Sequence, residues 1–283
     1  MIQIATLLPL NLGQQIILAL IAAGLLLCGL ASAAGWIRSR IWPEKYPLLP
    51  SIYAPHTFPT RWDAIFTGVF ITYYLYNCAI SLLYTTAPQE QSTPALHLIL
   101  ALILTGITYL PMVIRLSLVP GAVSALPPGA RLLRELKFAF LIALATILIA
   151  SIYHVSGIMH YIAEQTDSKQ YQDVVLNFMS GGTAERISIF LGATIIAPIG
   201  EEFCFRGFLY GTLRKYSGPL CAAICSSFIF ALVHTSLPAL LPLMVFALLQ
   251  CWAYEKTKSL RVPILAHILF NAIEIGCLFL PME

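Results

Sequence analysis

Apolar stretches long enough to cross a bilayer recur along this chain and restrict it to a membrane-embedded helical fold. A hydrocarbon core of about 30 Å requires about 20 apolar residues in a helix. Such stretches occupy residues 14–36, 64–84, 95–119, 138–159, 187–210, 219–237, 238–254 and 262–281. The composition agrees, since 59% of the residues are hydrophobic and 10% are charged, whereas soluble domains carry about 25% charged residues. We therefore predict an all-α fold, a polytopic membrane helical bundle with about eight transmembrane helices.

The basic residues between these stretches indicate how the chain is oriented. In membrane proteins, Lys and Arg are concentrated in the cytoplasmic loops. Here they occupy every odd-numbered loop, as Arg38, Arg40, Lys45 and Arg61, then Arg131, Arg134 and Lys137, then Arg214 and Lys215, then Lys256, Lys258 and Arg261. The tails and the second and sixth loops have none, and the fourth loop offsets Lys169 and Arg186 with acidic residues. We therefore predict an integral, multi-pass protein with both termini outside the cytoplasm.

Ionisable and amide side chains inside the spans are concentrated in the last four spans. Such groups are costly in a bilayer, so they indicate a functional site by default. They are Glu201, Glu202, Arg206, His234, His267, Asn271 and Glu274. They belong to three short segments, EEFCFR, FALVH and HILFNAIE, on three different spans.

Helical geometry separates the two carboxylates of EEFCFR. Residues i and i+4 share a helix face, so Arg206 faces Glu202. Glu201 lies about 140° from Arg206 around the helix and has no partner in its own segment, which leaves it available as a general acid or base. A structural ion pair beside one spare acid is the alternative. Pro198 and Gly200, just before the pair, favour a kink that either admits water or serves packing alone.

The other two segments support each other as evidence for a functional site. A lone histidine such as His234 in FALVH often only packs in a core. In HILFNAIE, however, His267, Asn271 and Glu274 share one helix face at i, i+4 and i+7. Because every buried polar group needs a hydrogen-bonding partner, we expect the three segments to meet in one site.

The three segments, in this order, resemble the motifs of a known family. Glu-Glu-x-x-x-Arg, Phe-x-x-x-His and His-x-x-x-Asn on separate spans are typical of the CAAX protease and bacteriocin-processing (CPBP) family of intramembrane endopeptidases. The resemblance extends from about residue 187 to the C-terminus, and the first half resembles only a generic helical membrane region. It divides the chain into residues 1–137, with three spans and cytoplasmic loops, and residues 138–283, the membrane-embedded catalytic region with about five spans.

This resemblance implies an eight-helix bundle with a water-filled cavity, in which peptide bonds are cleaved at membrane depth. By motif position, Glu201 would activate the attacking water and His234 would help to hold and polarise it. His267 and Asn271 would stabilise the tetrahedral oxyanion. The expected supporting residues are Glu202, Arg206, Phe230 and Glu274.

Two mechanisms remain open under the resemblance, because relatives have been described both as metalloproteases and as glutamate proteases. Glu201, His234 and His267 could hold Zn²⁺. The sequence contains no H-E-x-x-H, however, and Asn271 is a poor zinc ligand. We favour a glutamate-activated water without a cofactor and keep a zinc-dependent metalloprotease as the alternative.

Two other functions compete with an endopeptidase. A proton-coupled transporter could use Glu and His residues as a relay, although transporters usually show repeat symmetry or paired broken helices. The second competing function is that of a non-proteolytic scaffold or an immunity-type relative. For the endopeptidase, the expected partners are the lipid bilayer and a membrane-associated peptide or protein substrate that reaches the site from the cytoplasmic side. The net charge of +3 comes from the cytoplasmic loops and gives no reason to expect nucleic acid.

Overall fold

The structure is helical throughout the residues that it describes. A computed structural model covers residues 10–45, 59–83, 109–119 and 131–278, and all regular elements in these ranges are helices, which confirms the predicted all-α class. We number them α1 (Leu12–Ile41), α2 (Arg61–Leu83), α3 (described part 109–117), α4 (Arg131–Val155), α5 (Ile158–Thr166), α6 (Asp173–Ser180), α7 (Thr183–Ser217), α8 (Pro219–Leu232), α9 (Leu240–Thr257) and α10 (Arg261–Cys277). Two π-helical segments, Gly192–Ile196 and Phe203–Tyr210, interrupt α7.

Three helices of the described residues are long and apolar enough to cross a membrane. They are α1, residues Leu132–Val155 of α4, and α7, whereas the apolar helix α8 is shorter. Each predicted span contains a helix in the described residues, although residues 84, 95–108 and 279–281 of the spans lie outside those residues. An integral membrane location follows from the apolar helices. The count of eight spans, the division at residue 137 and the orientation of the termini stay predictions.

Two helices end earlier than the sequence predicts. The span 138–159 ends at Val155, because Gly157 adopts a φ of 73° and begins the separate helix α5. Glycine reaches this conformation without a steric penalty. The span 219–237 ends at Leu232, and a turn that contains Thr235 at a φ of 51° leads to α9. His234 therefore lies in this turn, just beyond the end of α8, rather than inside a helix.

One apolar core joins the two halves of the chain. Leu75 of α2 belongs to the same buried cluster as Phe208 of α7 and Phe230 of α8. A second cluster, with Ala139 of α4 and Ala266 of α10, attaches α4 to the last two helices. Because lipid tails are as apolar as these side chains, van der Waals packing rather than transfer from water holds such helices together.

The outer faces of the bundle carry large apolar side chains. Examples on α1, α2 and α4 are the exposed residues Leu26, Leu30, Val69, Leu148 and Ile152. Soluble monomers rarely expose contiguous apolar surface on this scale. Lipid tails are the environment that satisfies these faces, in agreement with a membrane location.

The N-terminal helix packs against the end of α7 at a glycine. A Cβ atom added at Gly35 would collide with the backbone carbonyl of Tyr216. Backbone atoms, unlike the end of a flexible side chain, cannot rotate away. Glycine at a crossing of membrane helices allows the two backbones to approach this closely.

We expect Gly35→Ala to lower the midpoint of thermal unfolding in detergent, because α1 must move away from Tyr216. Overpacking costs about 1–3 kcal/mol, more than the roughly 0.5–1 kcal/mol that alanine gains over glycine inside a helix. Gly29→Ala is the matched control in the same helix, since nothing lies within 4 Å of an added Cβ there. Its midpoint should stay constant or rise slightly. Equal midpoints for the two variants would contradict the close packing at Gly35.

Candidate active site

The two carboxylates of EEFCFR lie between the π-helical segments of α7. Glu201 and Glu202 end the short α-helical stretch Ala197–Glu202 that separates these segments. A π-helical turn changes the direction of the side chains that follow it and often occurs at a functional site. The irregularity predicted at Pro198 and Gly200 therefore takes the form of a π-helical segment on either side of them.

Glu202 is the centre of a buried charge cluster. Its Oε1 atom accepts hydrogen bonds from Arg206 Nη1 at 2.9 Å and from His267 Nδ1 at 2.8 Å. The side chains of Glu202 and Arg206 are 0% and 1% exposed, so water screens their attraction little. The predicted ion pair on one helix face is present, and His267 of α10 is its further partner.

Aromatic rings enclose Arg206. Its guanidinium carbon lies 4.6 Å from the centroid of the Phe230 ring and 5.9 Å from that of Phe246, within the range of a cation–π interaction. The Nη2 atom also donates to the carbonyl of Ala247. Phe230 therefore supports the site through Arg206. Phe246 of α9 is a neighbour that none of the sequence motifs indicated.

Glu201 differs from Glu202 because part of its side chain is accessible to solvent. Its side chain is 15% exposed, and its Oε2 atom lies 3.8 Å from His267 Nε2. No side chain in the described ranges donates a hydrogen bond to this carboxylate. Glu201 is thus the more accessible of the two adjacent carboxylates.

His267 bridges the two carboxylates. Because the Glu202 carboxylate accepts hydrogen bonds, Nδ1 of His267 carries the hydrogen of their contact, and Nε2 is the atom that faces Glu201. The ring is 3% exposed and packs edge-on against Phe246, with centroids 4.7 Å apart. These contacts fix both the position and the orientation of the imidazole.

His234 also has its Nδ1 atom engaged, so its Nε2 atom is the free ring nitrogen. Its Nδ1 atom lies 2.8 Å from the carbonyl oxygen of Phe230, one turn earlier in α8. A carbonyl only accepts, so this nitrogen carries the hydrogen and Nε2 is left for water or a substrate. Glu201 and His267 both lie within electrostatic range of the ring. His234 therefore belongs to the same site as the other two motifs.

Asn271 reaches across to the first π-helical segment. Its Nδ2 atom donates to the carbonyl of Ala193 at 2.7 Å. This bond joins α10 to α7 one helical turn after His267. One hydrogen of the Asn271 amide is therefore used by the backbone, and the second remains for other acceptors.

The structure does not bring Glu274 to this cluster, contrary to the grouping expected from the shared helix face. Glu274 is exposed and interacts electrostatically with His154 near the end of α4. Seven residues advance a helix by about 10.5 Å. Glu274 therefore lies two turns beyond His267, so a shared face does not imply a shared depth in the membrane.

Two tyrosines from the N-terminal half border the site, and the sequence motifs did not indicate them. The ring of Tyr109 on α3 packs on Gly200, where an added Cβ would collide with it. The hydroxyl groups of Tyr109 and Tyr74 on α2 interact with each other, and both lie within electrostatic range of Glu201. The glycine before Glu201 was a signal of close approach, but the sequence did not identify the residue that fills the space.

The residues proposed as zinc ligands are not gathered into a ligand set. In the part of the chain that the structure describes, no three His, Cys, Asp or Glu side chains are grouped so that they could hold a metal ion. His267 binds Glu202 through Nδ1, which leaves Nε2 as the ring nitrogen that could meet a metal ion. The choice between a zinc ion and a metal-free site therefore stays a prediction.

Comparison with known proteins shows that the similarity lies in the helices that carry this site. Residues 183–273 match the family model described as type II CAAX prenyl endopeptidase Rce1-like. A stretch of 79 residues is 35% identical to the protein YdiL of Bacillus subtilis (strain 168), over 28% of this chain and 32% of that protein. A stretch of 95 residues is 34% identical to the membrane-embedded CAAX protease MroQ of Staphylococcus aureus (strain USA300), over 31% of this chain and 38% of that protein. No solved structure matches the chain.

The matched region coincides with the helices that build the charge cluster. It extends from the start of α7 into α10 and includes EEFCFR, FALVH and HILFN. The matches span about a third of the length of the two relatives. Residues 183–273 are therefore similar to the type II CAAX prenyl endopeptidase Rce1-like family, which confirms the CPBP resemblance drawn from the three motifs.

Proposed function

We propose that this protein is an intramembrane endopeptidase that hydrolyses peptide bonds of membrane-associated substrates with a water molecule activated by Glu201. The observation that carries the proposal is the contrast between two adjacent carboxylates. Glu202 is buried and bound by Arg206 and His267, whereas Glu201 is partly exposed beside His267 Nε2. The family similarity supports the peptidase class, and this contrast supports the choice of Glu201.

Glu201 is the general base in this proposal. It takes a proton from a water molecule, the water oxygen attacks the carbonyl carbon of the peptide bond, and the proton then passes to the leaving amine. His234 contacts the same water through Nε2, because its Nδ1 hydrogen is engaged by the Phe230 carbonyl. That contact orients the lone pair of the water toward the peptide.

Two donors stabilise the oxyanion that this attack creates. They are the second amide hydrogen of Asn271 and the imidazole of His267. Both side chains are fixed before the substrate arrives, by Ala193 and by Glu202 respectively. Preorganised donors of this kind are commonly the largest single contribution to peptide hydrolysis, since removal of one lowers kcat by about 10²–10³.

Glu202 and Arg206 act through His267 in this scheme and do not react. The short contact to Glu202 and the packing on Phe246 prevent the His267 ring from rotating. A catalytic group must be held within about 0.5 Å of its productive position. Arg206 in turn supplies the positive charge that a buried carboxylate requires.

The proposed substrates are peptides or proteins that lie at or in the bilayer. MroQ carries the name of a CAAX protease, and for this chain we propose the broader class of membrane-associated peptides. The basic odd-numbered loops favour access from the cytoplasmic side.

Glu201→Gln should reduce cleavage of a fluorogenic membrane peptide at least about 100-fold, because the amide cannot take the proton of the water. The thermal midpoint should stay close to that of the wild type, since no described side chain donates to this carboxylate. Glu164→Gln is the matched control, because it makes the same isosteric change at an exposed carboxylate of α5. Cleavage by Glu201→Gln at the wild-type rate would remove Glu201 from the mechanism.

A strong chelator should leave the cleavage rate of the wild type unchanged, because the proposed base is a carboxylate and not a metal-bound water. The measurement compares initial rates before chelation, after chelation and after addition of Zn²⁺. A loss on chelation with recovery on Zn²⁺ would replace this mechanism with the zinc alternative, in which Glu201, His234 and His267 are the ligands.

Arg206→Met should lower the free energy of unfolding by about 3–5 kcal/mol, because it removes the guanidinium that pairs with the buried Glu202 carboxylate. The double variant Arg206→Met with Glu202→Gln should recover much of this loss, since the remaining charge is removed as well. Denaturation in detergent measures both. Equal destabilisation of the single and the double variant would argue against a charge interaction between the two residues.

A further inference from the structure

Asn271 donates to a backbone atom of another helix rather than to a side chain of the site. Its partner, the carbonyl of Ala193, lies inside the π-helical segment Gly192–Ile196. Carbonyl groups in the interior of a helix are normally used by the backbone N–H groups of that helix. A carbonyl that accepts from a neighbouring helix therefore raises the question of what has removed its own donor.

Pro198 accounts for the missing donor. In a π-helical segment the N–H of residue i+5 donates to the carbonyl of residue i, and here the N–H of Ala197 donates to the carbonyl of Gly192. The next donor in this series would be residue 198, and its acceptor would be Ala193. Because proline has no N–H, the Ala193 carbonyl is left for a side chain. In a membrane, side chains of neighbouring helices commonly satisfy a carbonyl that proline has freed.

We propose that Pro198 is a positioning residue, which keeps the Ala193 carbonyl open for Asn271 and thereby fixes the Asn271 amide one helical turn beyond His267. The inference rests on the proposed function, in which the second hydrogen of that amide stabilises the oxyanion. Asn271 follows His267 by one turn of α10, so the same bond holds α10 against α7 one turn away from the His267–Glu202 contact. Pro198 thus positions the Asn271 amide, in the same way that Glu202 positions the His267 ring.

A double-mutant cycle on cleavage kinetics tests this coupling. Pro198→Ala supplies an N–H that competes with Asn271 for Ala193, so kcat should fall about ten- to a hundredfold while KM stays constant. In a chain that already carries Asn271→Ala, Pro198→Ala should cause no further loss, because no amide is left to position. Pro219→Ala is the matched control, since Pro219 stands in the first turn of α8, where an N–H has no partner in the helix.

A backbone ester separates the missing N–H from the ring of proline. Lactic acid, the α-hydroxy analogue of alanine, is introduced at position 198 and has neither the ring nor an N–H. Its kcat should be close to that of the wild type, in contrast to Pro198→Ala. An ester with the same defect as alanine would overturn the proposal, because the ring would then be the cause. Should Pro198→Ala fail to fold, the ester alone decides, with an active protein in support and an inactive one against.

Thermal unfolding distinguishes failure of this inference from failure of the proposed function. Asn271→Ala should lower the midpoint by roughly 2–4 °C in the wild-type background, but not in the Pro198→Ala background, where the backbone satisfies Ala193. If the wild type cleaves no substrate, the proposed function fails and this coupling still decides the inference. If cleavage depends on Glu201 but the effects of Pro198→Ala and Asn271→Ala on kcat multiply, only the inference is overturned.

Discussion

The buried carboxylate of Glu202 is the interaction on which the site depends. An ionised carboxylate in an apolar interior is tolerated only with a counter-charge and good hydrogen-bond geometry. Arg206 and His267 both meet Oε1 of Glu202, and Phe230 and Phe246 flank the guanidinium of Arg206. Because the Glu202 charge requires these partners, helices α7, α8, α9 and α10 meet at one point. The adjacent Glu201 gains its position from this cluster without sharing its burial.

The same region contains backbone carbonyl groups whose hydrogen bonds come from side chains. Irregular backbone at membrane depth is tolerated only where protein or a water-filled cavity supplies partners. Here the carbonyl of Ala193 accepts from Asn271, the carbonyl of Phe230 meets His234, and the carbonyl of Pro238 accepts from Tyr153. Two of the side chains in these bonds, Asn271 and His234, are among the proposed reacting residues. The bonds that repair the irregular backbone thus also orient the groups of the proposed reaction.

The sequence predicted the parts of this arrangement that depend on local periodicity. The all-α class, the pairing of Glu202 with Arg206 and the availability of Glu201 follow from helix geometry and from the cost of burying charge. The end of α8 at Leu232 and the contact of Tyr109 with Gly200 depend on tertiary packing, which no local pattern contains. The helix face alone groups Glu274 with His267, whereas the two residues lie two turns apart along the axis of α10.

The N-terminal half has a physical role in the site, even though the family similarity covers only residues 183–273. Tyr109 packs on Gly200, three residues before the second π-helical segment of α7, and Gly35 of α1 packs on Tyr216, six residues after that segment. The segment Phe203–Tyr210, which carries Arg206, is therefore bounded at both ends by contacts from outside the matched region. Interiors are close-packed and transmit displacement, so a shift of α1 or α3 alters the position in which α7 presents Glu202 to His267 of α10. The geometry of the charge cluster is thus a property of the whole bundle and not of the motif helices alone.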